Sequence, residues 1–331
     1  MTRFDVYGIG NALVDTEYKV DDTFLKRVKL SKGLMTLIEE DEKKELTRLL
    51  EQGHRHFPVK QSGGGSAANT MAILSQLGSK TFYSCKVADD ERGKFFLQDL
   101  KNTGISTNDR TELETGITGH CISMITPDAE RTMTTCLGIT NFFSTKELDY
   151  TALESSTYLY IEGYLVSSKT GFQAAVRAQE IAKNSGAIVS LTLSDPSMIE
   201  NYRAEFFQLF DNGVDLLFCN LNEAQLLTGT TSIEDCTREI KKLCGKFAVT
   251  CGKDGSIAFN GDTLAASAGF KTTAVDTTGA GDIFAGVFLH CLTKSNDFEY
   301  ANQLANKFAS KLVSRFGARL TSIEVEEVLN L

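Results

Sequence analysis

Tyr158-Leu159-Tyr160-Ile161 is a short, nearly continuous apolar run, and three more follow it: Ile188 to Leu193, Leu216 to Cys219 and Phe247 to Thr250. A strand with one wet face alternates polar and apolar side chains; a strand apolar on both sides is covered on both sides. Helical segments separate these runs. Strand, helix and strand in this succession make the βαβ rhythm of a parallel sheet between two layers of helices. Working outward, Phe4 to Ile9 and Thr81 to Val87 are further short strands. Ser256 to Phe259 and Thr263 to Ala266 flank Gly261-Asp262, a hairpin turn signal. Helices are predicted over Ile283 to Leu292 and about Tyr300 to Ser314.

The first half of the chain also holds a different pattern. Thr16 to Val20 alternates, Gly33 to Ile38 is a second short apolar run, and Thr118 to Thr135 alternates about a turn at Pro127-Asp128. That is a hairpin with one wet face. The reading is a small strand-rich lid drawn from 16–37 and 115–136. It is set on one large α/β domain made of 1–15, 38–114 and 137–331. Within the large domain, amphipathic helices are predicted over Glu40 to Gln52, Ala67 to Leu77 and Arg92 to Thr103. The chain has only three prolines, no repeat and no low-complexity tract, so no linker between independent domains is evident.

Over 331 residues, hydrophobic residues make up 42% and charged residues 23%, as in globular proteins. A net charge of -9 repels phosphate backbones and disfavours nucleic acid as a partner. None of the eight cysteines forms a CxxC pair, so structural zinc is disfavoured and a reducing compartment fits. The start of the chain does not read as a signal peptide, and no stretch reaches the roughly 18 apolar residues of a membrane span. The expectation is a cytoplasmic protein without a membrane partner. His54, His56, His120 and His290 lack metal-ligand spacing, and His54-Arg55-His56 reads as an exposed helix end. There is no GxxxxGK[ST] loop, and Gly8-Ile9-Gly10 lacks the third glycine of a dinucleotide fingerprint.

The segment that carries chemistry is Ala274-Val275-Asp276-Thr277-Thr278-Gly279-Ala280-Gly281-Asp282. A strand end runs into a turn of small residues, and a helix opens at Asp282. Amides at a helix N-terminus are unsatisfied and carry partial positive charge, and small residues let a phosphate approach them. Gly279, Ala280 and Gly281 therefore make an anion hole. Asp282 beside it can take a proton from an attacking hydroxyl. By spacing alone, Asp282 reads equally well as an acid that stabilises the helix dipole.

The run Asp276 to Asp282 resembles the C-terminal signature of the ribokinase (PfkB) family of sugar and nucleoside kinases. Gly63-Gly64-Gly65-Ser66-Ala67-Ala68-Asn69 resembles that family's glycine-rich substrate motif, as does Gly8-Ile9-Gly10-Asn11 followed by Asp15. Asn220-Leu221-Asn222-Glu223 matches its Asn-x-x-Glu motif. Four motifs in family order span nearly the whole chain. The resemblance implies a ribokinase-like three-layer αβα domain with a β lid, and ATP with Mg²⁺ as cofactors. It makes Asp282 the base and Gly279, Ala280 and Gly281 the hole for the transferring group. Asn220 and Glu223 would place Mg-ATP, Glu223 through metal-bound water; the alternative for the pair is a helix cap after the strand Leu216–Cys219. Thr250, Gly252 and Gly255 resemble the nucleotide loop, and Asn306 falls where the adenine pocket is lined. Asp276 and Thr278 match positions that bind a monovalent cation such as K⁺ in some members. Arg131 would reach the phosphates, unless it is a solvated hairpin charge.

At the acceptor end, Asn11, Asp15, Gly64, Gly65 and Asn69 match residues that cradle sugar hydroxyls. Leu13, Met35, Met133, Cys136 and Leu137 offer apolar lid walls, and Tyr164 follows a strand end from which it could stack on a base. These features are more like adenosine kinases than ribokinases and point to adenosine, phosphorylated to AMP in purine salvage. A free-sugar kinase is the alternative, and a non-catalytic sugar- or nucleotide-binding regulator is a third reading. The chain is a monomer or a homodimer; a lid sheet serves either.

Overall fold

The computed structural model describes residues 4–33, 35–52, 58–108, 113–128 and 130–330. Among these the strands are, in chain order, β1 Phe4–Ile9, β2 Leu13–Lys19, β3 Met35–Leu37, β4 Pro58–Gly64, β5 Thr81–Ser84, β6 Gly119–Ile125 and β7 Arg131–Cys136. They continue with β8 Ser156–Ile161, β9 Ile188–Thr192, β10 Leu216–Asn220, β11 Lys246–Thr250, β12 Ser256–Phe259 and β13 Leu264–Ser267. The large sheet has the order β13-β12-β11-β10-β9-β8-β1-β5, parallel from β5 to β11, with the β12–β13 hairpin added antiparallel.

Its apolar runs are explained by burial on two faces. Tyr158 and Tyr160 enter one apolar layer and Leu159 and Ile161 the other; Leu216 and Phe218 oppose Leu217 and Cys219 in the same way. The first layer packs on helices Ser66–Gln76, Ala280–Lys294 and Phe298–Val313. The second packs on helices Lys169–Ser185, Arg203–Asp211 and Ile233–Ile240. Helix Ala280–Lys294 buries nine consecutive residues but for His290, from Ile283 to Leu289 and then Cys291 and Leu292. Phe288 meets Phe218 of β10 edge-on at 5.6 Å and Phe298 of the next helix at 5.2 Å. Full burial of such a ring is worth about 1.5–3 kcal/mol, so the helix that carries Asp282 is fixed to the sheet along its length.

The small sheet has the order β3-β7-β6-β2-β4. Two of its features depart from the sequence reading. Strand β4 pairs antiparallel with β2, Asp15 opposite Ser62 and Leu13 opposite Gly64. Helix Glu40–Glu51 packs Leu46 and Leu50 against Tyr18, Ile122 and Met124 of the sheet. Both lie in the stretch 38–114 assigned above to the large domain. Ser62, Gly63 and Gly64 have no strand propensity of their own; pairing with β2 makes them a strand. The β6–β7 hairpin is also not wet on one side, since the helix covers one face and a cavity lies against the other. The short helices Asp22–Arg27 and Ser322–Leu329 were not legible either. Residues 54–56 lie outside the described residues. All eight cysteines are free. Among the described residues no helix is long and apolar enough to cross a membrane.

Strand order reverses at β1: the chain leaves it for β5 on one side and returns to β8 on the other. Ligand crevices in open parallel sheets lie beyond the carboxyl ends of the strands at such a switch point.

Candidate active site

A cavity of 570 Å³ occupies that crevice, with the small sheet as its roof. Asn11 after β1, Glu162 after β8, Asn220 at the end of β10 and Thr250 at the end of β11 line it from the large sheet. Leu13, Asp15, Met35, Cys121, Met133 and Leu137 line it from the small sheet and its margin.

Asp282 stands at its floor. The helix begins two residues earlier than the sequence suggests, at Ala280 with Gly279 as its cap. Gly279 adopts φ +78°, and a Cβ there would lie 2.7 Å from the Ala318 carbonyl oxygen, so the turn requires glycine. The Asp282 carboxylate does not cap its own helix. Ser66 Oγ donates to Oδ1 at 2.6 Å and Asn69 Nδ2 to Oδ2 at 3.0 Å, both from the first turn of helix Ser66–Gln76. Two helix N-termini thus meet around one carboxylate. Burial raises its pKa to about 6, against the pull of these two hydrogen bonds and of the Arg319 charge.

Asp15 is the acid of the roof. No hydrogen bond to its side chain is formed among the described residues, and a Cβ at Gly64 would collide with its carboxyl. Burial raises its pKa to about 6, opposed by Arg319 and Arg131. Glu162, absent from the motifs, is a third buried acid. It accepts from Asn11 N and Nδ2 at 3.2 and 3.1 Å and from Ala67 N at 2.8 Å, and burial pushes it up to about 7. Its only sequence signal was an acid directly after an apolar strand. The Asn11 amide is therefore committed to Glu162 at the cavity edge.

At the other end, Asn220 and Glu223 form the helix cap that was the alternative reading for them. They form a reciprocal cap, Asn220 Oδ1 accepting from Glu223 N at 2.8 Å and Glu223 Oε2 from Asn220 N at 2.9 Å, and the cap holds the carboxylate at the cavity wall. Burial raises Glu223 to about 7. Among the described residues no three acids, histidines or cysteines converge on a point, so there is no protein-only metal cage. A magnesium ion that keeps most of its ligands from phosphates and water needs only a carboxylate such as Glu223.

Several expected residues are placed elsewhere. Arg131 does not line the cavity. It pairs with Asp276 Oδ2 at 2.5 Å and Glu17 Oε1 at 2.7 Å and donates to Ser123 Oγ, tying the small sheet to the turn before helix Ala280–Lys294. Asp276 is fully engaged, since Thr278 N and Gly317 N also donate to it at 3.0 and 2.9 Å. In this arrangement an arginine, and not a free carboxylate, meets any cation at that turn. Thr278, Gly65, Asn69 and Gly252 do line the cavity; Gly255 and Asn306 do not. Asn306 Nδ2 donates to Ser256 Oγ at 2.6 Å and pins the β12 hairpin to its helix. Cys136 turns away from the cavity, one residue out of phase with Thr135. Tyr164 lines the cavity from the large-sheet side and not from the roof; Asp195, Glu162, Asp282 and Glu223 surround it electrostatically, and burial raises its phenol. Ser66 and Arg319 went unremarked in sequence, one inside a glycine-rich motif and the other beyond every motif.

The description "pfkB family carbohydrate kinase" matches residues 28–325. A guanosine-inosine kinase of Escherichia coli is 31% identical over 231 residues, 68% of this chain and 52% of that protein. The chain thus spans about half the length of the guanosine-inosine kinases it matches. A ribokinase of Staphylococcus aureus is 26% identical over 282 residues, 83% of this chain and 90% of that protein. Among solved structures, an adenosine kinase from Sinorhizobium meliloti superposes with a TM-score of 0.89 at 31% identity, covering 100% of both chains.

Proposed function

From the premise that this chain belongs to the PfkB family of carbohydrate kinases, we propose that it transfers the γ-phosphoryl group of ATP to the 5′-hydroxyl of a purine nucleoside, adenosine first, giving AMP. One observation carries the reading. A carboxylate held by Ser66 and Asn69, Asp282, shares a single cavity with helix-terminal amides, an unpartnered Asp15 and an apolar roof.

The chemistry follows from those parts. Asp282 takes the proton as the acceptor oxygen attacks the γ-phosphorus; the bond to the β-bridging oxygen breaks and ADP leaves. The Gly279 and Gly281 amides face the charge that builds on the transferring group, while Ala280 N donates to the Thr277 carbonyl at 3.2 Å and fixes the turn. Glu223 would hold Mg²⁺ through water, and the ion would supply positive charge against that of the ATP phosphates. Asp15 accepts from ribose hydroxyls. Leu13, Met133 and Leu137 supply the apolar contact that a base rewards and a free sugar does not. Met35 and Leu37, exposed at the edge strand β3, are covered when the roof closes as a lid and excludes water.

A second reading has its own support, since the ribokinase relative aligns over most of both chains. ATP turnover with adenosine, guanosine, inosine, ribose and fructose separates the two. Purine nucleosides are expected to exceed either sugar in kcat/KM by at least about a hundredfold, the scale of a few kcal/mol of apolar enclosure. Better turnover of ribose or fructose would hand the site to the sugar reading.

A further inference from the structure

Arg319 lies between helices Phe298–Val313 and Ser322–Leu329, outside every motif used so far. Its Nε donates to Asn69 Oδ1 at 2.8 Å and its Nη1 to Asp99 Oδ2 at 2.7 Å. Asn69 in turn donates from Nδ2 to Asp282 Oδ2 at 3.0 Å. A side-chain amide has one accepting end and one donating end. A donor fixed on the oxygen therefore leaves the nitrogen to face the carboxylate.

We propose that Arg319 is a positioning residue for phosphoryl transfer: it locks the Asn69 amide with its nitrogen toward Asp282, and so aims the base at the acceptor hydroxyl. The role rests on the reading of Asp282 as the base. Without the guanidinium, the amide can rotate and set its oxygen against a carboxylate oxygen, two acceptors face to face. Asp99, on helix Glu91–Asn102, holds the other arm of the fork and keeps the arginine from swinging away.

Two further observations favour this role over simple packing. Among the described residues Arg319 Nη2 is buried without a hydrogen-bond partner, so the fork is set by Asn69 and Asp99 alone and not by a full set of structural bonds. Strand β4 passes the pair as bare backbone: a Cβ at Gly63 would collide with the Asp99 carboxylate and come within 3.4 Å of Nη2. The first glycine of the glycine-rich motif thus makes room for the arginine, while the second makes room for Asp15.

The charge acts in the same direction as the geometry. The ionisable groups around Asp282 are Asp15 from β2, Tyr160 from β8, Glu162 and Tyr164 beyond it, and Glu223 from helix Leu221–Thr228. Against these acids Arg319 is the cation that favours the ionised base. Arg131 favours ionised Asp15 but is itself held by Glu17 and Asp276.

The test is the pH–rate profile of Arg319→Met and Arg319→Lys beside wild type, with melting temperature and ATP affinity measured on each. Arg319→Met is expected to lower kcat about tenfold or more, as misalignment of a reacting group does, with acceptor KM within about threefold. Its acid limb should move to higher pH, because loss of a nearby positive charge favours the protonated carboxyl. Arg319→Lys should restore the limb but not kcat, since one ammonium cannot span Asn69 and Asp99. A kcat within twofold of wild type in Arg319→Met overturns the proposal, and so does an equal loss in both variants with no movement of the limb. If Arg319→Met fails to fold, Arg319→Lys decides alone: wild-type kcat overturns the role, and a reduced kcat on an unmoved limb supports it. Asp282→Asn separates the two readings. If it stays active, the base assignment falls and this role with it; if it is inactive while Arg319→Met behaves as wild type, only this role falls.

Discussion

Strand β8 sends Tyr158 and Tyr160 into one apolar layer and Leu159 and Ile161 into the other. Strand β2 sends Tyr18 against Leu46 and Leu50 but turns Asp15 to the cavity and Glu17 to Arg131. In the large sheet both faces answer to burial. In the small sheet one face answers to burial and the other lines the cavity. That second face carries an acid without a hydrogen-bond partner among the described residues, and the cavity beneath it holds three more carboxylates, Glu162, Glu223 and Asp282, whose pKa values burial has raised. Stability is concentrated in one sheet and spent chemistry-side in the other, as expected where a site needs groups that a fold alone would not choose.

Phe288 is fully buried between Phe218, Phe284 and Phe298. Phe288→Ala should lower unfolding free energy by about 3–5 kcal/mol in denaturant titration. Turnover per folded molecule should stay within about threefold. A large loss of turnover at unchanged stability would mean that the two sheets do not divide the labour this way.

Asp15→Asn should do the reverse. The folded pKa of Asp15, about 6, lies above its ordinary 3.8. Its ionisation therefore disfavours the folded state: stability is full below pH 3.8, falls as pH rises toward 6, and is flat above. Removing the charge should raise stability at pH 7–8 by about 1–3 kcal/mol, at 1.36 kcal/mol per pKa unit and with a discount for partial exposure. The gain should vanish below about pH 4. Nucleoside kcat/KM should fall meanwhile. Thermal melts at pH 4 and pH 8 check it; a variant less stable at pH 8 would show that Asp15 has structural partners after all.

The smallest effect sharpens the ligand face itself. Met133→Ala opens the apolar roof and should raise the KM for adenosine about tenfold, the loss of part of one apolar side chain's contact. The KM for ribose, if ribose is turned over at all, should not move. Equal changes for both would remove the roof from base recognition.

The same contrast explains what the sequence made legible. Strands β8 to β11 were read within a residue or two because burial on both faces leaves a continuous apolar run. The helix start beside Asp282 was legible to within two residues because a run of small residues before an apolar helix has a local pattern. Strand β4 was not, because Ser62, Gly63 and Gly64 pair only when β2 is beside them. Glu162 and Arg319 act across 95 and 250 residues of chain, on Ala67 and Asn69, and no local window contains such a contact. Arg131 was assigned to phosphates, whereas it pairs with Glu17 of its own sheet and with Asp276 in the turn before helix Ala280–Lys294.

The central claim is that Asp282 takes the proton of an acceptor hydroxyl. The direct measurement is the rate of AMP formation from adenosine and Mg-ATP by Asp282→Asn, with the affinity of each substrate measured separately. Binding is expected to stay within a few-fold of wild type and kcat to fall by at least about a hundredfold, the usual scale for loss of a general base. A variant that binds both substrates and keeps more than about a tenth of wild-type turnover would contradict it, because a hundredfold base effect cannot be absent from the rate.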